Sequence, residues 1–256
     1  MIDRLRNKCI IVIGAGSGIG AATVRRLCAE GARVCAADIN EAGAKAVAAA
    51  ARDAGGEAFS TYIDLADEAS VNAAVAAAVE RLGGLDGAHI NAADLQAIMQ
   101  DSTALDVALD IFDRTLTVNL RGHLLCTRAV LPHLLARGGG ALIYTSSGAA
   151  DGAEPVRPSY AMSKSGLNAL MRHVAAAWGR QGITANCVAP GFTITPEMDK
   201  SPHLTQAIRD YMQARTPAPR LGQAEDIAGM VAMLLSDDGR WINGQVYHVN
   251  GGALMP

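Results

Sequence analysis

The stretch Cys9-Ile-Ile-Val-Ile-Gly-Ala-Gly-Ser-Gly-Ile-Gly20 decides the fold. Its first half is a short β-branched apolar run, of the kind that forms a strand buried on both faces. Its second half breaks into glycines, and the chain then resumes as Ala21-Ala-Thr-Val-Arg-Arg-Leu27 with apolar residues at helical spacing. Strand, tight turn and helix start follow in the order needed to cradle a pyrophosphate. Gly16, Gly18 and Ala21 fit the pattern G-x-G-x-x-G/A, and Gly14, Gly18 and Gly20 fit the looser G-x-x-x-G-x-G. The backbone of Gly14, Ser17, Gly18, Ile19 and Gly20 is therefore expected to wrap a dinucleotide, whose charge the first amides of the helix solvate.

A second apolar run, Arg33-Val-Cys-Ala-Ala-Asp38, ends in an acid 20 residues after Gly18. A dinucleotide fold places there the carboxylate that accepts from the adenosine ribose hydroxyls. A 2′-phosphate would meet like charge, costing about 4 kcal/mol per unit charge at about 4 Å in an effective dielectric of about 20. Neither Ser17 nor Ile39 supplies a compensating cation, so the expected cofactor is NAD rather than NADP. The competing reading makes Asp38 the cap of a helix starting near Glu41.

Tyr160 and Lys164 lie four residues apart in Pro158-Ser-Tyr-Ala-Met-Ser-Lys164. On a helix these positions share a face, so the ammonium can sit beneath the phenol and lower its pKa from about 10. Such a tyrosine is a candidate general acid and base. Taken alone, such a pair is more often a solvated helix face.

With the glycine loop, Asp38 and this pair in place, the whole chain resembles the short-chain dehydrogenase/reductase family. The resemblance implies a catalytic set of Asn119, Ser147, Tyr160 and Lys164, with Ser147 lying 13 residues before the tyrosine. It implies adenine recognition at Asp64 and Leu65, and a place behind the adenosine for Asn91 and Ala92. Pro190-Gly-Phe-Thr-Ile-Thr195 resembles the family's Pro-Gly motif, which implies cofactor contacts at Pro190, Gly191, Thr193 and Thr195. It further implies that Lys164 binds the nicotinamide ribose and that Asn119 anchors a water-linked proton path. Departures from the family pattern are Ile13, Ile90, Ala93 and Asn250.

The chain has 256 residues, half of them hydrophobic, enough to bury a substantial core as one domain spanning 1–256. Strand signals centre on Val12, Cys35, Ser60, Ala88, Ile143, Ala185 and Val246, alternating with helical segments. That alternation implies an α/β fold of the Rossmann type, a doubly wound parallel sheet with helices on both faces. A formal charge of −3 makes no electrostatic case for nucleic acid or an anionic membrane. The N-terminal apolar run is too short to span a bilayer. Five scattered cysteines without C-x-x-C spacing imply a reduced, cytoplasmic protein, and the six histidines lack metal-ligand spacing, so no metal is expected.

Substrate choice is expected in the segment of about 192–215, a breaker-rich stretch followed by a helical pattern from about His203 to Ala214. It reads as a lid over the nucleotide site or as a surface excursion. Asp151, Glu154 and Arg157, between Ser147 and Tyr160, either touch a polar substrate or face solvent. The expected reaction is hydride transfer between NAD(H) and a small-molecule secondary alcohol or ketone. The alternatives are a 3-oxoacyl-thioester (acyl-carrier-protein) reductase, for which Arg128, Arg137, Arg172 and Arg180 leave a basic surface open, and a non-catalytic NAD-sensing protein. Two long helices, roughly Asp106 to Arg137 and Tyr160 to Arg180, carry Leu124, Leu125, Val130, Leu134, Leu167, Leu170 and Val174. With the C-terminal strand near Gln245 to Val249, their apolar surface and the family resemblance imply a homotetramer, with a dimer as the alternative.

Overall fold

The β-branched run Cys9–Ile13 forms a strand with every residue buried, as its lack of polar alternation requires. Cys9, Ile11 and Ile13 join one apolar core, Ile10 and Val12 the other, because successive side chains point to opposite faces. The computed structural model describes residues 3–202 and 204–255. Its strands are β1 (Cys9–Ile13), β2 (Arg33–Asp38), β3 (Glu57–Tyr62), β4 (Gly87–Ile90), β5 (Gly140–Thr145), β6 (Ile183–Pro190), β7 (Thr193–Ile194), β8 (Gly222–Gln223) and β9 (Val246–Val249). The α-helices are α1 (Gly18–Ala29), α2 (Glu41–Asp53), α3 (Glu68–Leu82), α4 (Leu95–Gln100) and α5 (Leu109–Leu116), then α6 (Gly122–Ala136), α7 (Pro158–Trp178), α8 (Pro196–Asp199), α9 (Gln206–Ala214) and α10 (Ala224–Leu235).

Seven parallel strands lie in the order β3-β2-β1-β4-β5-β6-β9. All seven expected strand centres fall inside them. Helices α1, α2 and α10 cover one face, α3, α6 and α7 the other. The order reverses between β1 and β4, and the crevice beyond the strand ends at such a reversal is where a doubly wound sheet binds its ligand. Ile13 and Ile90, two of the departures noted above, are fully buried and pair with each other across that reversal.

Several expectations need correction. The first long helix begins at Leu109, not Asp106, because Asp106 is held in a turn by the Thr103 hydroxyl at 2.8 Å. A π-helical turn, Thr117–Arg121, then separates α5 from α6. The second long helix spans Pro158–Trp178, and Arg180 lies in a short 3₁₀ turn after it. Of the seven apolar residues that suggested a subunit interface, Leu125, Val130, Leu134, Leu167 and Val174 are buried in this chain's own core. Leu124 is exposed and Leu170 half-buried. The expected helix start at His203 lies outside the described residues, and α9 begins at Gln206. All five cysteines are free and buried. Among the described residues no helix is long and apolar enough to cross a membrane.

Candidate active site

The glycine loop is shaped by close backbone approach. Gly14 has φ of +83°, and a Cβ there would lie 2.6 Å from the Ala92 Cα. A Cβ on Gly20 would fall 1.9 Å from the Gly14 carbonyl oxygen, so the first turn of α1 can press onto the end of β1 only with glycine there. Ser17 occupies the N-cap of α1 without a side-chain capping bond, and the first turn holds no acidic residue. The amides of that turn are therefore free of a competing carboxylate, the electrostatic condition for a bound phosphate.

Asp38 ends β2 beside this loop. Its Oδ2 accepts from the Gly16 N–H at 2.7 Å and its Oδ1 from the Asn40 N–H at 2.7 Å. The helix-capping reading of Asp38 is overturned: α2 is capped by Asn40, whose side chain accepts from the Gly43 N–H at 3.0 Å. Ser17 and Ile39 are both exposed.

Lys164 is 1% exposed, and its Nζ donates to the Thr145 carbonyl oxygen at 2.7 Å. Burial pushes its pKa down to about 8. The same Nζ lies 5.7 Å from the centre of the Tyr160 ring, as the i, i+4 spacing requires. The expected lowering of the phenol pKa by Lys164 is nevertheless corrected. Burial raises the Tyr160 pKa above its ordinary value, opposed by a hydrogen bond from Ser147 and by the charge of Arg157, while Glu154 adds to the rise. The ammonium points to a backbone carbonyl instead of the phenol oxygen, so desolvation outweighs it.

Ser147 follows β5, close enough to the Tyr160 phenol to oppose the rise in its pKa, and its oxygen accepts from the Ala149 N–H at 3.2 Å. Asn119 sits in the π-turn, fully buried, and its Oδ1 accepts from the Asp94 N–H at 2.9 Å. Among the described residues its Nδ2 has no hydrogen-bond partner. A buried donor left unpaired costs about 1–3 kcal/mol, so this amide calls for a polar guest such as water. Single π-turns recur at functional positions, where the widened ladder re-aims a side chain.

The remaining expected residues fall around the same strand ends. Asn91 donates from Nδ2 to the Gly14 carbonyl at 3.0 Å and accepts from the Thr145 hydroxyl at 2.9 Å, tying the glycine loop to the catalytic side. Ala92 packs against Gly14. The Asp64 Oδ1 accepts from the Ala66 N–H at 2.8 Å, and the Leu65 side chain is buried in the core. Pro190 and Gly191 close β6, where a Cβ on Gly191 would lie 2.7 Å from the Asn250 Cα. Asn250 in turn braces the C-terminal turn, donating to the Leu254 carbonyl at 2.8 Å. Thr193 opens β7 and Thr195 caps α8, accepting from the Met198 N–H at 3.2 Å. Thr195 Cγ2 would lie 3.2 Å from a Cβ on Gly18, so this threonine stands over the glycine loop.

Three contributors were missed. Thr145 connects Lys164, Asn91 and His89, whose Nε2 lies 2.9 Å from its hydroxyl. The Thr145-Ser-Ser147 run was its only signal. Asp101 accepts from the Tyr160 backbone, 59 residues away, and no local pattern marks it. His248 on β9 lies 3.3 Å from Asp151, while Glu154 pairs with Arg157 at 2.9 Å, so the charges of the loop before α7 find partners within the loop and on β9.

A family model described as enoyl-(acyl carrier protein) reductase matches residues 14–253. A probable short-chain type dehydrogenase/reductase of Bradyrhizobium diazoefficiens is 37% identical over 99% of this chain and 89% of its own length. Levodione reductase of Leifsonia aquatica is 35% identical over 97% of this chain and 95% of its own length. Among solved structures, 7α-hydroxysteroid dehydrogenase in complex with NADH and 7-oxo glycochenodeoxycholic acid superposes with a TM-score of 0.89 at 30% identity, covering 99% of this chain and 98% of that one. The chain is an oxidoreductase of the short-chain dehydrogenase/reductase family.

Proposed function

We propose that this enzyme transfers a hydride between NAD(H) and a small secondary alcohol or ketone, with Tyr160 as general acid and base. The observation that carries the reading is the convergence of Ser147, Tyr160 and buried Lys164 at the mouth of a glycine-lined crevice bordered by Asp38. Gly14, Ser17, Gly18, Ile19, Gly20 and Thr195 would hold the pyrophosphate. Asp38 would meet the adenosine ribose, Asp64, Leu65, Asn91 and Ala92 the adenosine, and Lys164, Pro190, Gly191 and Thr193 the nicotinamide side. The bound cofactor supplies the hydride acceptor for oxidation or the donor for reduction.

The chain's own residues handle the proton. Ser147 holds the substrate oxygen, and Tyr160 takes its proton during oxidation or returns one during reduction. Lys164 keeps a positive charge beside the phenol and would bind ribose hydroxyls, while the Asn119 amide would order a water in the proton path. The segment 192–215, with Ile208 and Tyr211 exposed on α9, acts as a substrate lid. NADH in the hydroxysteroid dehydrogenase complex supports a nicotinamide cofactor, and its hydroxy/oxo chemistry supports a CH–OH substrate. The acyl-thioester reading has less support, since Asp38 disfavours the NADPH such a reductase would use and two of its four arginines, Arg128 and Arg137, pair with Glu68 and Asp86.

NADH-linked absorbance over secondary alcohols, polyols, sterols and oxoacyl thioesters, with both cofactors, tests the assignment. Efficiency with NAD is expected to exceed that with NADP by about 100-fold, equivalent to about 2.7 kcal/mol after solvent screening of the charge at Asp38. Equal use of both, or turnover confined to oxoacyl thioesters with NADPH, would contradict it.

A further inference from the structure

Tyr160 lies in the first turn of α7, and that helix does not cap itself. Arg157 occupies the N-cap position with φ of 64°, and its side chain makes no capping bond. The acceptor comes instead from Asp101, 7% exposed, at the C-terminal end of α4. Its Oδ1 accepts from the Ser159 hydroxyl at 3.0 Å and its Oδ2 from the Tyr160 backbone N–H at 2.9 Å. Beside it the Arg157 N–H donates to the Ser102 carbonyl at 2.7 Å, so two consecutive residues of this segment grip the start of α7.

The other end of α4 reaches a second member of the site. The backbone N–H of Asp94, the N-cap of α4, donates to the Asn119 Oδ1 at 2.9 Å. The Asp94 carboxylate caps α4 through the Gln96 and Ala97 amides and pairs with Arg114 of α5 at 2.7 Å. A six-residue helix, about 9 Å long, thus spans from Asn119 to Tyr160 with charge-assisted or amide hydrogen bonds at both ends.

We propose that Asp101 is a positioning residue: through α4 it holds Tyr160 at a fixed place relative to Asn119 and so sets the reach of the phenol. This rests on the acid/base reading of Tyr160. A displacement of about 1 Å at a reacting group can cost about 100-fold in rate, so a carboxylate that never touches substrate can control turnover.

The test compares kcat and the Kd for NADH, by fluorescence titration, in Asp101→Ala, Tyr160→Phe and the double variant. Asp101→Ala is expected to lower kcat at least about tenfold while the Kd stays within about twofold, and to cause no further loss in the Tyr160→Phe background. If Asp101→Ala does not fold, Asp101→Glu serves, because it keeps the charge but displaces the carboxylate by about 1.5 Å, one carbon–carbon bond. That variant should also lose kcat with NADH binding retained. A wild-type kcat in whichever variant folds, or parallel losses of kcat and NADH binding with a lowered Tm, would overturn the proposal. Full activity of Tyr160→Phe would instead sink the acid/base reading itself.

Discussion

Two buried imidazoles set a condition on how this enzyme can be handled. His89 on β4 and His123 on α6 are fully buried, and burial pushes both pKa values down to about 3. His123 also feels the charge of Lys164. A base whose folded pKa lies below its unfolded value stays neutral in the fold while the unfolded chain takes up protons, so stability falls as pH drops below about 6.5. Between pH 7 and pH 5 each imidazole is expected to remove about 2 kcal/mol of unfolding free energy. Urea unfolding at these two pH values should show the loss in its midpoint, and an unchanged midpoint would contradict the burial of these rings in neutral form. Lys164 acts in the opposite window. Its pKa is lowered to about 8, so its burial destabilises the fold at neutral pH and this penalty fades as pH rises from about 8 toward its unfolded value near 10.5.

At the scale of elements, the strands were legible because a parallel sheet covered on both faces needs uninterrupted apolar runs, and Cys9–Ile13 and the Val34-Cys-Ala-Ala37 centre of β2 are such runs. The start of α1 was legible for a different reason: close approach of Gly14 to Ala92 and of Gly20 to Gly14 demands glycine. The i, i+4 pair Tyr160 and Lys164 placed itself on one helix face. What did not show in the sequence arises from register or from distance along the chain. The π-turn at Thr117–Arg121 is a shift in hydrogen-bond register that no residue type announces. The direction of the Lys164 ammonium depends on the Thr145 carbonyl, a backbone group on another strand. The link from α4 to α7 joins Asp101 to Ser159 and Tyr160, and neither residue's local pattern implies the other.

At the scale of the whole molecule, the surface of the α5–α6 and α7 pair bears on assembly. A groove of about 670 Å³ runs there, lined by Leu116, Leu120, Leu124 and Leu170 and flanked by Asp113 and Arg121. The last strand, β9, is a sheet edge with all four residues partly buried. An apolar groove on paired helices and an unpaired edge both fit closed two-fold assembly, and a homotetramer is the arrangement we propose. Leu170→Glu should weaken it by placing an unpaired charge in an apolar contact, doubled across the axis. Light scattering should then report a shift toward smaller species. A fully active 26.5 kDa monomer in the parent at micromolar concentration would remove the basis for the prediction.

The most direct measurement of the central claim is the turnover of Tyr160→Phe beside that of the parent, with NADH binding followed in parallel. Ser147 and Lys164 stay in place in that variant, and only the phenol oxygen is lost. Turnover is expected to fall at least about 100-fold, the lower range for removal of a general acid/base, while NADH binding stays nearly unchanged. Retention of most of the parent's turnover by Tyr160→Phe would contradict the account.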